Sequence, residues 1–171
     1  MKRACVLLLI LVCLFGLSAC SKKNVDKVFT SFVPPKTGTV NEDIQVDETN
    51  HITIVSTNTI TPNPDKPDEK ILIVTYDWKN GSEKQKVTHG SFLLTAKQDG
   101  VTLKPNLKHV DDKFKLVTPI QGGETLHDIQ QGFELLSDNE VTLSIKGSMQ
   151  VVFEDGVPKG SYPVEVPVTV N

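Results

Sequence analysis

Thiols, imidazoles and carboxylates are the side chains of this 171-residue chain that could carry chemistry. Its three cysteines, Cys5, Cys13 and Cys20, all lie in the first twenty residues. A thiol can be a nucleophile, a metal ligand or half of a disulfide, so that placement decides what stays open. The histidines, His51, His89, His109 and His127, form no pair at the spacing that turns two rings toward one metal. Asp111 and Asp112 follow His109, and Asp128 follows His127. Such neighbours could suit a hard or mixed cation, but acidic loop residues beside a histidine are ordinarily solvated. Acid–base work by Asp111, Asp112 or Glu124 would need surroundings that push two pKa values apart, and the sequence supplies none. No G-x-S-x-G elbow presents a serine; "HGSFL" and "KGSMQ" read as turn and strand. Gly122-Gly123 lacks the strand-to-helix setting of a phosphate loop and reads as a tight turn. The expected catalytic, metal and cofactor-binding residues are therefore none, and the protein is not expected to be an enzyme.

The cysteines are positioned by the element that contains them. Lys2 and Arg3 precede an uncharged run from Ala4 to Gly16, closed by Leu17-Ser18-Ala19-Cys20. The run is shorter than the about 20 residues a spanning helix needs. A basic start, a short apolar core and small residues before a cut site make a secretory signal. Leu17-Ser18-Ala19-Cys20 resembles the lipobox of bacterial lipoproteins: a leucine, two small residues, then cysteine. The resemblance implies that the Cys20 thiol carries a diacylglycerol and that the chain is cut just before it. Cys5 and Cys13 would leave with the signal peptide, residues 1–19. With Cys20 acylated, the remaining chain has no thiol for a disulfide, a nucleophile or a metal. The expected location is the extracytoplasmic face of the cell membrane, with the bilayer itself as one partner through Cys20.

Residues 20–39 read as the lipidated cysteine and a flexible tether. Residues 21–39 hold four lysines, Pro34-Pro35 and Gly38, with few apolar side chains. A flexible chain of that length reaches about 25 Å on average and roughly 65 Å when extended. From Val28 onward there are 20 acidic against 13 basic side chains. An acidic domain argues against a nucleic-acid partner, which wants a positive face.

Residues 40–171 read as one domain built of strands. "HITIV" sets Ile52 and Ile54 on one face, and "ILIVTYDW" sets Leu72, Val74, Tyr76 and Trp78 on one face, with Ile71 and Ile73 opposite. The second stretch is expected to be a central strand, covered on both sides at its start. Residues 61–70 contain three prolines and must be an exposed connection. Asn80-Gly81 and Asp99-Gly100 are hairpin signals, since both tolerate positive φ. A strand is expected at 133–136, and "TLHDIQQ" and "HVDDKFKLV" could each hold one helical turn. Val141, Leu143, Ile145, Met149, Val151 and Phe153 alternate through a bend at Gly147. Pro163 and Pro167 lie four apart in the last strand, which is therefore expected at a sheet edge, its missing N–H groups outward. Trp78 is read as core. Several short alternating strands at hairpin spacing indicate an all-β sandwich or barrel.

"TYDWKNGSEK" followed by "GGETLHDIQQGFELLSDNEVTLSI" resembles uncharacterised immunoglobulin-like domains of Gram-positive surface lipoproteins, a family of unknown function. The likeness spans roughly residues 71–145. It implies an immunoglobulin-like antiparallel β-sandwich and brings no catalytic residue with it. Trp78 is similar to the core tryptophan of immunoglobulin domains, but the paired cysteines are missing.

The expected function is a lipid-anchored, non-catalytic envelope protein that binds another protein or a surface component through sandwich loops. No loop residue is singled out. The alternative is a solute- or metal-binding lipoprotein serving a transporter, for which one small β-domain is a spare frame.

Overall fold

The strands Asn50–Ile60 (β2) and Ile71–Asn80 (β3) turn Ile52, Ile54, Leu72, Val74, Tyr76 and Trp78 to one side. That side can leave water only against a second apolar face. In the computed structural model, which describes residues 37–148, 151–154, 157–160 and 162–170, two antiparallel sheets provide it. All described residues fall in one compact unit, Ser31–Asn171. The first sheet has the order β1-β2-β3-β8, with β1 at Asp43–Gln45 and β8 at Thr125–Glu134. The second has the order β12-β9-β5-β6. Its members are Val164–Val168 (β12), Val141–Gly147 (β9), Phe92–Gln98 (β5) and Val101–Thr102 (β6). Lys86–Val87 (β4) pairs with Pro119–Ile120 (β7), and Val151–Glu154 (β10) with Val157–Gly160 (β11).

The inner faces meet as an all-β sandwich. Ile129 and Phe133 of β8 join the β2 and β3 residues; Leu94, Ala96, Leu143, Ile145, Val164 and Val166 close the core from the other sheet. β3 is central, and Ile71 and Ile73 are buried on its second side as expected. Residues 61–70 form an exposed connection without strand. Asp99 (φ 52°) and Gly100 (φ 80°) make the two-residue turn between β5 and β6.

The final strand is at an edge. Its Glu165 carbonyl accepts from Gly38 N at 2.9 Å, so Glu165 turns its backbone away from β9. Pro163 and Pro167 lie two residues to either side and share that direction, where a missing N–H costs the ladder nothing. Gly38 and Thr37, which the sequence reading counts in the tether, are thus already held by this edge.

Four expectations need correction. Asn80-Gly81 is not a hairpin: β3 pairs with β2 and β8, and neither residue has positive φ. Asn80 is instead buried, its amide donating to Lys84 O at 2.7 Å and reaching Ile120 O and Gln121 O. Its carbonyl accepts from Ser82 N and Oγ, so one side chain does the work of a turn. "TLHDIQQ" is strand, because β3 offers a partner along the length of β8 and Ile129 fills the core opposite Tyr76. β8 consequently begins at Thr125, well before residue 133. The alternation of 141–153 is two strands, β9 ending at Gly147 and β10 belonging to a separate hairpin; Met149 lies outside the described residues. "HVDDKFKLV" does hold a turn, a short 3₁₀ helix at Lys113–Val117.

Candidate functional site

The titratable residues that drew attention in the sequence are scattered. His51 Nδ1 lies 3.0 Å from Asp43 Oδ2, and His127 Nδ1 lies 2.7 Å from Asp77 Oδ2. Asp43, Thr53 and Asp77 are register partners across β1, β2 and β3, so the two pairs flank one row on the outer face. Asp128, the sequence neighbour of His127, turns away and donates its N–H to Asp77 Oδ1. Asp112 and Glu124 serve local backbone, Asp112 capping the 3₁₀ helix through Phe114 N and Glu124 accepting from Gln121 N, while Asp111 accepts from the Gln130 side chain. Among the described residues no three histidine, cysteine or acidic side chains gather as a metal would require. Gly123 has φ 84°, consistent with a tight turn. Cys20 lies outside the described residues, and no helix among the described residues is long and apolar enough to cross a membrane.

A cleft that the sequence reading did not identify is assembled from three elements. Tyr76 faces inward from β3 and stands edge-on to Phe92 at the head of β5, with ring centroids 5.9 Å apart at 79°. The chain leaves β5 and β6 and crosses to the first sheet. Leu103 N donates to Ala96 O, Glu134 N to Lys104 O, and Asn106 N to Gly132 O at 2.8 Å, so residues 104–106 cover the open side of β8. The crossover then runs into the 3₁₀ helix, where Leu116 O accepts from His89 N at 2.8 Å. These layers form a half-open cleft of about 200 Å³; Tyr76, Phe92, Leu94, Pro105, Leu107 and Leu116 are among its apolar lining, and Thr88, His89 and Gln131 also line it.

The walls are mostly apolar, with polar groups from Tyr76, Thr88, His89 and Gln131; the Thr88 hydroxyl donates to Lys115 O. Gln131 is fixed by donating Nε2 to Leu94 O at 3.2 Å, which leaves Oε1 free to accept. Tyr76 is 1% exposed, and its hydroxyl bonds to no described residue. Thr59 Oγ1 is the sealed, unpaired polar side-chain atom among the described residues. Burial raises the Tyr76 phenol above its ordinary pKa, so it is a donor throughout the physiological range. The rim is hydrophobic: Leu93 is 58% exposed and Leu107 40%. Sequence signals for the cleft were slight: a polar-tipped aromatic among inward aliphatics, and leucines in a loop.

A raised phenol pKa favours the folded state below the unfolded value of 10.0; that contribution is lost as pH climbs toward the folded value. Between pH 10 and pH 11 this single group should cost about 1 kcal/mol of stability. Tyr76→Phe is expected to flatten that part of the alkaline decline in chemical denaturation. An unchanged alkaline slope would show that Tyr76 ionises as easily folded as unfolded.

A family model described as a domain of unknown function (DUF5067) matches residues 26–147, a wider span than the 71–145 of the resemblance. Two solved structures are similar. A candidate lipoprotein (ycdA) from Bacillus subtilis is 12% identical with a TM-score of 0.49, covering 73% of this chain and 38% of that one. An uncharacterised β-sandwich protein from Clostridium difficile is 16% identical with a TM-score of 0.48, covering 78% and 95%. This chain thus spans well under half of the Bacillus structure. No curated protein matches the sequence.

Proposed function

This chain belongs to the DUF5067 family, and we propose from that premise that it is a non-catalytic binding module. Its anchor would be a diacylglycerol on Cys20, at the extracytoplasmic face of the cell membrane. Residues 1–19 would be the discarded signal and 20–39 the lipidated cysteine and tether, whose Thr37 and Gly38 already join the edge of the binding domain, 40–171. The observation that carries the binding role is the cleft, a mostly apolar pocket with exposed leucines and His89 at its edge. Exposed apolar surface around a pocket marks a place where something else is meant to pack. The polar groups in it are Tyr76, Thr88, His89 and Gln131; the Thr88 hydroxyl is engaged with Lys115 O, and no nucleophile–base hydrogen bond joins any two of the four. The finer fold type is immunoglobulin-like: β2-β3-β8 and β12-β9-β5-β6 follow the A-B-E and G-F-C-C′ orders of that sandwich. The acidic balance disfavours a nucleic-acid partner.

Anchoring is tested at Cys20. Wild-type protein should fractionate with membranes, whereas Cys20→Ala should appear released or as an unprocessed precursor, since stable anchoring needs more than one acyl chain. A mature-sized Cys20→Ala protein in the membrane fraction would overturn the anchor. The binding role is tested by crosslinking in intact cells; capture of nothing beyond a lipid-anchored control protein would remove it. Solute delivery to a transporter is the alternative use of the same pocket.

A further inference from the structure

Resting on the Cys20 anchor, we infer that the end of the sandwich carrying the 80–91 and 121–124 loops faces the lipid bilayer, and that Phe114 enters the headgroup region there. The direction in which the chain enters the domain is the first observation. Thr37 bridges to Glu165 in parallel, with Gly38 N donating to Glu165 O at 2.9 Å. The residues before Thr37 therefore leave along β12 toward its first residue, Val164. Val164 pairs with Ile145 of β9, and Gly147 of β9 pairs with Phe92, so this is the end where β9 stops and β5 starts. Asn50 Nδ2 donates to Ser91 O, Asn50 pairs with Asn80, and Lys79 pairs with Thr125. The start of β2, the end of β3 and the start of β8 thus lie at the same end. A Cβ on Gly38 would fall 2.7 Å from Ile44 Cδ1 and 3.2 Å from Val166 Cγ2, so the entering backbone lies close against β1 and β12. Sixteen residues separate Cys20 from Thr37. A flexible chain of that length spans about 22 Å on average, less than the roughly 35 Å breadth of a domain of this size. Turning the opposite end, with the 61–70 and 136–140 connections, to the lipid would stretch the tether far past its mean.

Phe114 is the second observation. Its 3₁₀ helix lies beside the membrane-facing end: Leu116 O accepts from His89 N, and Lys115 Nζ donates to His127 O and Asp128 O. Phe114 is 70% exposed, more than any other large apolar side chain that stands out of the described surface, and Val117 is exposed on the same helix. An aromatic ring of this kind is favoured at the boundary between headgroups and acyl chains. Lys113 beside it bonds to no described residue and can meet lipid phosphate. The carboxylates nearest in sequence are turned to the protein, Asp112 on Phe114 N and Asp111 on Gln130 Nε2. The exposed Asp128 keeps the local charge balanced, so entry of the ring and not charge is the main attraction. The crossover covers β8, the sheet edge opposite β1, so Phe114 and the tether would hold the domain at two separated points.

The test uses the mature lipidated protein in nanodiscs of phosphatidylcholine and phosphatidylglycerol, with and without a lipid whose headgroup chelates gadolinium. Amide relaxation should quicken several-fold more at Lys113–Val117 and residues 81–82 than at residues 99–100 and 137–139. Phe114→Ser, at an exposed position on which folding does not depend, should lose the enhancement at 113–117 while the protein stays in the disc. Phe114→Trp should retain it. Equal enhancement at both ends, or more at 99–100 and 137–139, overturns the orientation; unchanged enhancement in Phe114→Ser overturns the role of the ring. A photo-crosslinking residue at position 114 in intact cells should label lipid, and labelling of a protein instead would assign the ring to a protein partner and end the lipid contact. A purified chain without diacylglycerol mass on Cys20 would sink the anchor and this orientation with it. An anchored chain with no difference between its ends would sink the orientation alone.

Discussion

Trp78→Ala should destabilise the domain by about 3–5 kcal/mol, the range for truncating a buried large aromatic. Trp78 is fully buried on the central strand, in register with Ile52 on one side and Leu126 on the other. Its ring lies 6.3 Å from that of Phe92, so it also ties the first sheet to the second. Removing it opens a cavity and breaks a hydrogen bond. Trp78 Nε1 donates to Asn50 Oδ1 at 3.0 Å, and Asn50 is 2% exposed. Asn50 cannot turn to another partner, because Asp47 carboxylate oxygens hold its amide and its Nδ2 also donates to Ser91 O at 3.1 Å. The buried acceptor would be left unpaired, and damage would spread to the start of β2 and the entry to β5. Trp78→Phe keeps most of the packing and loses the donor, so a smaller cost of about 1–2 kcal/mol is expected. Urea unfolding followed by circular dichroism reads both, since Trp78 is the sole tryptophan and its fluorescence goes with it. A Trp78→Ala loss below about 1 kcal/mol would mean the site collapses freely, contrary to its hydrogen-bonded surroundings.

The strands were legible where one face of alternating residues is buried and the other is wet. β5, β9 and β12 are of this kind, and their inward residues Leu94, Ala96, Leu143, Ile145, Val164 and Val166 were all recoverable from period two alone. β8 was not, because its first half offers Leu126 and Ile129 out of step, separated by a register shift beside Asp128 at φ 54°. A bulge erases the alternation that sequence reading depends on. Asn80-Gly81 misled for a different reason. Local turn chemistry favours a hairpin there, but the buried Asn80 amide gains more by tying three segments together. The cleft was invisible because its one chemically conspicuous residue, His89, stands alone in the sequence with no partner at a telling spacing. Tyr76 reads as one inward residue of an apolar strand, while Gln131 and Leu116 fall in stretches read as single helical turns and Leu107 drew no reading. Only the crossover, whose path is set by long-range hydrogen bonds to β8, brings them to one place.

That crossover rests on one residue whose replacement is the second large effect. Gly132 is a β8 position in register with Ile73, where glycine alone would weaken a strand. A Cβ built on it falls 2.2 Å from the Asn106 carbonyl oxygen and 3.3 Å from Ile73 Cδ1. The first contact is with backbone and cannot be relieved by a rotamer change. Gly132→Ala must therefore push residues 104–107 off the edge of β8, breaking the bond from Asn106 N to Gly132 O and straining that from Glu134 N to Lys104 O. A loss of about 2 kcal/mol is expected, within the range for backbone displacement with lost hydrogen bonds. Hydrogen exchange should show it locally, with Asn106 and Glu134 amides losing protection before the β9 amides do. Because Pro105 and Leu107 line the cleft, the same variant should also disturb its wall, read as shifts of the Leu107 methyls even where the domain remains folded. A Gly132→Ala protein with wild-type melting and intact protection at Asn106 would show that the crossover does not depend on this close approach. Absent that result, Gly132 does two jobs at one position. It lets backbone approach backbone, which covers an edge strand that would otherwise invite pairing, and in doing so it lays the roof of the pocket.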